Sequence, residues 1–199
     1  QTTAIPDANF EQALIDLGYD DVIDGSVLTA NISGVTYLNV GYKGISDLTG
    51  IEYFINLRHL FCHNNQLTNL DISQNTLLQS LFCHHNLLTQ IDVSNCPLLD
   101  CFDCRDNQLE VLDVSNNPDL VCFDCSNNQL ICLNAKNYQK NKFNVFNTQN
   151  NPLLFCIEIY PPDNAWGSIP YIDAGVVLSA DCQNECSNTT GIEEQIASF

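Results

Sequence analysis

The sequence predicts a leucine-rich repeat solenoid whose parallel β-sheet forms a concave face. Four units of 21 residues follow one another without a gap, beginning at Leu57, Leu78, Leu99 and Leu120. Around the central cysteine of each unit, residues that point inward alternate with residues that point outward, which is the period of a β-strand. One strand per unit, stacked on the next at a spacing of ~4.8 Å, gives a parallel sheet along one side of the coil.

The four units share the pattern L-x-x-[LF]-x-C-x-x-N-x-L-x-x-[LI]-[DN]-[VIA], so equivalent positions form columns along the solenoid. The cysteine column points into the core, where a thiol packs as a small hydrophobic group. The asparagine column falls where the chain leaves the strand, and its amides can satisfy backbone groups that the turn leaves unpaired. The two columns are Cys62, Cys83, Cys104 and Cys125, and Asn65, Asn86, Asn107 and Asn128.

Two C-x-x-C pairs, Cys101 with Cys104 and Cys122 with Cys125, have the spacing of a zinc ribbon. Side chains three residues apart on a strand point to opposite faces, so the four thiols are not expected to surround one metal ion. Nothing helical follows either pair, which argues against a thioredoxin-type motif. Cys101 and Cys122 instead form a column on the exposed face, and whether they are bonded to each other stays open.

Four regions are expected along the chain. An apolar helical face that follows the N-cap residue Asp7 predicts a cap over the first rung. A C-terminal cap, with Trp166 over the last rung, is expected to be closed by a disulfide between Cys156 and Cys182. The regions are a helical cap at 1–34, about six rungs at 35–160 with an insertion near 136–144, the second cap at 161–182, and a linker at 183–199.

The last rung is placed by similarity between two short segments. The sequence N-P-L-L-F-C-I, which begins at Asn151, is similar to N-P-D-L-V-C-F, which begins at Asn117. This alignment predicts that Glu158 continues the outward column of Asp103 and Asp124. It also makes Cys156 a candidate third member of the Cys101 column.

The composition argues against several classes of function. Against 24 acidic residues there are 6 basic ones, a net charge of -18, which disfavours binding to nucleic acid or to an anionic membrane. No apolar run approaches the ~20 residues of a membrane span. The first residue is Gln1 and the chain contains no methionine, which suggests a mature start after a signal peptide. Eleven cysteines favour an oxidising compartment or a structural use of the thiol.

The outward positions of the strands are the candidate binding surface. They are aromatic and histidine-rich toward the N-terminus and acidic toward the C-terminus, and exposed apolar clusters tend to mark interaction surfaces. The histidines of adjacent rungs also raise a less favoured alternative, a zinc or copper site at His63 and His84. No metal site and no cofactor are predicted. The candidate residues are Tyr37, His59, Phe61, His63, Phe82, His84, Asp103, Arg105, Asp124 and Glu158.

An enzyme is not predicted. The histidines lack a buried carboxylate partner in this pattern, so no Ser-His-Asp arrangement can be assigned. The acidic column of Asp103, Asp124 and Glu158 could in principle supply paired carboxylates for glycoside cleavage. A smooth sheet, however, lacks the cleft that this chemistry needs.

With these motifs laid out, the repeats resemble the 21-residue cysteine-ladder repeats of internalin J, a surface adhesin of Gram-positive bacteria. The whole chain resembles secreted leucine-rich repeat proteins of the Bacteroidetes, through I-P-D-A-N-F-E-Q-A-L-I at the start, G-I-S-D-L-T-G-I-E, and C-I…W…D-C at the end. In that group the tail commonly leads into a C-terminal sorting domain of the type IX secretion system. The resemblance implies a secreted or cell-surface protein for binding and adhesion, without naming a ligand.

Three hypotheses for function follow. The favoured one is recognition of a protein on a host, matrix or cell surface through the concave face. The alternative is a glycan, with Tyr37, Tyr42, Phe61 and Phe82 stacking on sugar rings. The third is a passive spacer, or a scaffold domain within a larger enzyme.

Overall fold

The computed structural model describes residues 1–136, 144–159 and 171–182. Three predicted features lie outside the described residues. They are the linker at 183–199, Trp166 of the C-terminal cap, and nearly all of the insertion near 136–144. Within those residues no helix is both long enough and apolar enough to cross a membrane.

The N-terminal segment folds against the first rungs. Asp7 caps helix α1 by accepting hydrogen bonds from the backbone N–H groups of Asn9 and Phe10. The ring of Phe10 packs against that of Phe54, with 6.3 Å between centroids. The elements are strand β1 (Thr2–Ala4), α1 (Ala8–Asp16), strand β2 (Ser26–Leu28), helix α2 (Thr29–Ile32) and a 3-10 turn (Ile51–Tyr53), with β1 and β2 antiparallel.

Six strands form a parallel sheet along one side of the molecule, and its outer surface is called the strand face below. Each middle residue points into the core, as Leu60 and Leu81 do, and lies opposite its equivalent on the next strand. This confirms a parallel-strand solenoid of about six turns. The strands are β3 (Tyr37–Asn39), β4 (His59–Phe61), β5 (Ser80–Phe82), β6 (Cys101–Asp103), β8 (Cys122–Asp124) and β10 (Val145–Asn147).

A second parallel sheet, which was not predicted, lies on the return path of the coil. Its middle residues Leu112, Leu133 and Ile157 are buried and face the same core. The four strands are β7 (Val111–Asp113), β9 (Cys132–Asn134), β11 (Cys156–Glu158) and β12 (Val177–Ser179).

The predicted register of the last rung is wrong. Strand β10 occupies the place beside β8, with Asn147 opposite Asp124. Glu158 therefore lies on the second sheet, opposite Asn134, where it is buried and its Oε2 is 2.7 Å from Nζ of Lys136. Cys156 likewise does not belong to the Cys101 column. Its predicted disulfide with Cys182 is confirmed, with 5.8 Å between Cα atoms.

The core holds two structural columns that couple successive rungs. The ladder cysteines Cys62, Cys83, Cys104 and Cys125 are free thiols with no exposed surface. The ladder asparagines each bond two rungs together. Asn107, for example, donates from Nδ2 to the carbonyl oxygens of Cys83 and Cys104 and accepts from the backbone N–H of Leu88, at 3.0–3.1 Å.

Each rung also turns through one residue in the left-handed region of backbone conformation. From the second rung on, this residue immediately precedes the ladder asparagine, as Asn64 and Asn127 do. In the first five rungs its N–H donates to a backbone carbonyl of the next rung, for example Asn64 N to His84 O at 2.9 Å. The residues are Tyr42, Asn64, His85, Asp106, Asn127 and Asn150, with φ between 53° and 61°.

Candidate functional site

The strand face presents three columns of outward side chains. Strand pairing aligns the first two, and backbone hydrogen bonds just beyond the strands extend the alignment to the third. The first column is Tyr37, His59, Ser80, Cys101, Cys122 and Val145; the second is Asn39, Phe61, Phe82, Asp103, Asp124 and Asn147; the third is Gly41, His63, His84, Arg105, Ser126 and Gln149.

Rings from the first three rungs form one continuous cluster, called the aromatic patch. Its centre is the pair Phe61 and Phe82, whose centroids are 4.8 Å apart and whose planes differ by 8°. Tyr37 lies 5.2 Å from Phe61 at a tilt of 41°. The patch consists of Tyr37, Tyr42, His59, Phe61, His63, Phe82 and His84.

Stacking along the solenoid decides which part of each ring faces solvent. Because Phe61 and Phe82 lie face to face on neighbouring strands, their planes stand upright on the sheet. The other face of Phe61 meets Tyr37, and His84 approaches Phe82 in a T-shaped contact at 6.4 Å. The two phenylalanines therefore present ring edges to solvent.

The position of the histidine pair in the patch requires a residue without a side chain, Gly41, on the neighbouring rung. His63 and His84 are stacked at 4.7 Å with 10° between planes, and Tyr42 meets His63 edge-on at 5.2 Å. A Cβ atom at Gly41 would lie 2.6 Å from Cε1 of His63. Only glycine at this position leaves room for the His63 ring over the first rung.

Charged side chains on the next two rungs form a second cluster, the ionic patch, which consists of Asp103, Arg105 and Asp124. Nη1 of Arg105 lies 2.9 Å from Oδ2 of Asp103 and 4.0 Å from Oδ2 of Asp124. Asn147, which the sequence analysis missed, donates to Asp124 at 3.0 Å. The resemblance of V-F-N at Val145 to C-F-D at Cys122 is the signal that could have revealed it.

Burial shifts the pKa values of the two residues where the aromatic patch meets the ionic patch. Nδ1 of His84 lies 3.2 Å from Oδ2 of Asp103. Burial, helped by the charge of Arg105, lowers the pKa of His84 to about 4. Burial also raises the pKa of Asp103 to about 6, although Arg105 opposes the change. At neutral pH the contact therefore joins a neutral imidazole to a carboxylate.

Nine of the ten predicted site residues lie together on the strand face, and Glu158 does not. Among residues 1–136, 144–159 and 171–182, no group of three or more His, Cys, Asp or Glu side chains is arranged to hold a metal ion. His63 and His84 are stacked face to face, and no third ligand accompanies them within those residues.

The chain is similar to solved leucine-rich repeat structures from Listeria monocytogenes. The functional domain of InlJ, which includes a cysteine ladder, is 28% identical, with a TM-score of 0.68 over 80% of this chain and 38% of that one. Internalin InlF is 16% identical, with a TM-score of 0.57 over 79% of this chain and 57% of that one. Internalin C2 is 18% identical, with a TM-score of 0.50 over 90% of this chain and 98% of that one.

These similarities show an internalin-type leucine-rich repeat fold. The chain spans less than two thirds of the InlJ domain and of InlF. No protein-family model and no curated protein sequence matches it.

Proposed function

We propose that this chain is a secreted or cell-surface adhesion module that binds a protein partner through the strand face and catalyses no reaction. The observation that carries the proposal is the aromatic patch, a continuous cluster of rings on an outward surface, four of them on strands and the others just beyond the strand ends. Aromatic side chains are enriched in protein interfaces and lose little conformational entropy on binding when they are already ordered. The resemblance to the repeats of internalin J supports the same role.

The orientation of the rings favours a protein over a glycan. Sugar rings stack on exposed aromatic faces, but Phe61 and Phe82 each use one face on the other, and Tyr37 also packs against Phe61. Their edges form an apolar ridge that suits the side chains of a protein partner. Tyr37 and Tyr42, which are 52% and 73% exposed, are the residues that support the glycan alternative.

The charges beside the aromatic patch indicate which side chains the partner would place on this surface. Three carboxylates, those of Asp103, Asp106 and Asp124, share the single guanidinium of Arg105, and the chain carries a net charge of -18. We expect the partner to place apolar side chains over the aromatic patch and a basic side chain over the ionic patch. The same charge disfavours nucleic acid, because phosphates would be repelled.

The test is a binding screen against purified extracellular protein domains and a glycan array, run in parallel. The double variant Phe61→Ser with Phe82→Ser removes the centre of the aromatic patch. Phe155→Ser is the matched control, since Phe155 is 56% exposed and does not lie on the strand face. We expect the double variant to weaken a protein hit by about tenfold or more and the control to leave affinity unchanged.

Two results would count against the proposal. Equal loss in the double variant and in Phe155→Ser would show that the strand face is not the contact surface. Glycan hits lost on Tyr37→Ser or Tyr42→Ser, together with no protein hit, would favour the glycan alternative.

A further inference from the structure

Two cysteines on the strand face differ from every other free thiol in the described part of the chain. Cys101 and Cys122 are half-buried. The remaining free thiols are buried in the core, and burial raises their pKa, to about 12 for Cys62 and to about 11 for Cys96. Since the thiolate is the reactive form, the core thiols are inert.

The two exposed thiols are placed to react with each other. Cys101 and Cys122 are direct partners on adjacent parallel strands. In-register strands lie ~4.8 Å apart, within the range of about 4.4–6.8 Å between Cα atoms that a disulfide spans. The two side chains therefore lie side by side on the strand face.

The geometry makes the two sulfurs equivalent. Both are half-buried, and each occupies the first position of its strand. Either thiol can therefore attack first, and its neighbour then resolves the mixed disulfide.

We propose that Cys101 and Cys122 form a redox-active dithiol that reacts with small organic disulfides and closes into a disulfide across two rungs. One of the two thiols loses its proton and attacks one sulfur of the reagent, which forms a mixed disulfide and releases one reagent thiolate. The other thiol then loses its proton and attacks the protein sulfur of the mixed disulfide, which releases the second reagent thiolate. The protein loses two electrons and two protons, and the reagent disulfide is reduced to two thiols.

The acidic residues around the two cysteines determine which charge on a disulfide reagent is favoured. The carboxylates of Asp100, Asp103 and Asp124 act electrostatically on one or both thiols. Their negative field favours a cationic or neutral disulfide over an anionic one. Cystamine is the suitable cationic probe, and glutathione disulfide is the anionic comparison.

The test is mass spectrometry of the full chain with both thiols reduced, after incubation with cystamine under native conditions. We expect the loss of two hydrogen atoms and a peptide that links Cys101 to Cys122, while the five buried thiols stay unmodified. Cys101→Ser should stop at a mixed disulfide on Cys122, and Cys122→Ser at a mixed disulfide on Cys101.

Serine already occupies this column at Ser80, so both variants suit the sheet. The double variant with both serines retains the five buried thiols and should not react. Modification of core thiols at the same rate, or mixed disulfides that never close, would each overturn the proposal. A faster reaction with glutathione disulfide than with cystamine would overturn the charge preference.

Discussion

The imidazole of His84 lies between two partners of opposite character, the stacked ring of His63 at 4.7 Å and the carboxylate of Asp103 at 3.2 Å. This position joins the aromatic patch to the ionic patch. Burial favours the uncharged form of both His84 and Asp103, so their pKa values move in opposite directions. Protonation of His84 would add a cation beside Arg105 and weaken the histidine stack.

We predict opposite pH dependences of stability for variants at these two positions. The pKa of His84 falls from 6.5 to about 4 on folding, so its contribution to the free energy of unfolding decreases as pH falls from 6.5 to about 4. The pKa of Asp103 rises from 3.8 to about 6 on folding, so its contribution increases as pH falls from about 6 to 3.8. In the native chain the two effects oppose each other.

Urea denaturation between pH 4 and pH 6.5 separates the two contributions. Relative to the native chain, Asp103→Asn should lose stability on acidification, because only the His84 effect remains. His84→Gln should gain stability over the same range, because only the Asp103 effect remains. Each change should be on the order of 2 kcal/mol. Curves parallel to that of the native chain would show that the pair does not titrate in this way.

The strand face could be predicted because two constraints act on the same residues. Alternation along a strand and a spacing of 21 residues leave one register, since a slip by one residue would turn Leu60, Cys62 and their equivalents toward solvent. The columns through Phe61, Phe82 and Asp103 follow from that register. The stacked geometry of His63 does not follow from the register, because it depends on the space above Gly41 on a neighbouring rung.

The last rung was misplaced because its spacing changes. Asn151 lies 23 residues after Asn128 and repeats its bonds, donating to the carbonyl oxygens of Cys125 and Thr148. Thr148 stands in the cysteine column, so neither the spacing nor the residue type marks the rung. The N-P-L-L-F-C-I segment that begins at Asn151 instead leads into the second sheet, where Cys156 aligns with Cys132 and not with Cys122.

The cysteine ladder should tolerate a hydrophobic residue of similar size better than a polar one. Val40 occupies the equivalent place in the first rung and is fully buried. Cys83→Val should therefore change the free energy of unfolding by less than about 1.5 kcal/mol. Cys83→Ser should cost about 1–3 kcal/mol, because it buries a hydroxyl among apolar neighbours. Urea denaturation of both variants provides the comparison, and equal costs would contradict a purely packing role.

The asparagine ladder should be more sensitive than its surface neighbours. Asn107→Ala leaves the buried N–H of Leu88 without its acceptor and removes one of two donors from the carbonyl oxygens of Cys83 and Cys104. We expect a loss of about 3 kcal/mol or more by urea denaturation. Asn107→Asp should not rescue stability, because a carboxylate cannot donate to the carbonyl oxygens of Cys83 and Cys104. Gln108→Ala, at an exposed neighbouring position, is the control and should have little effect.

The N-terminal segment depends on one buried carboxylate. Oε1 of Glu11 accepts hydrogen bonds at 2.7–2.9 Å from the backbone N–H groups of three successive residues, Asp24, Gly25 and Ser26, and the side chain is 1% exposed. These bonds hold the chain where strand β2 begins. Glu11→Ala leaves three donors without this acceptor, so we expect a loss of about 3 kcal/mol or more.

Glu11→Gln tests whether the charge or only the oxygen matters, because the amide keeps a neutral acceptor in the same place. Hydrogen bonds to a charged group are stronger than neutral ones, so we expect an intermediate loss of about 1–2 kcal/mol. The exposed neighbour Gln12→Ala is the control. Hydrogen exchange at residues 24–26 should accelerate in Glu11→Ala and not in the control. Equal protection in both variants would show that the backbone at 24–26 is held by other contacts.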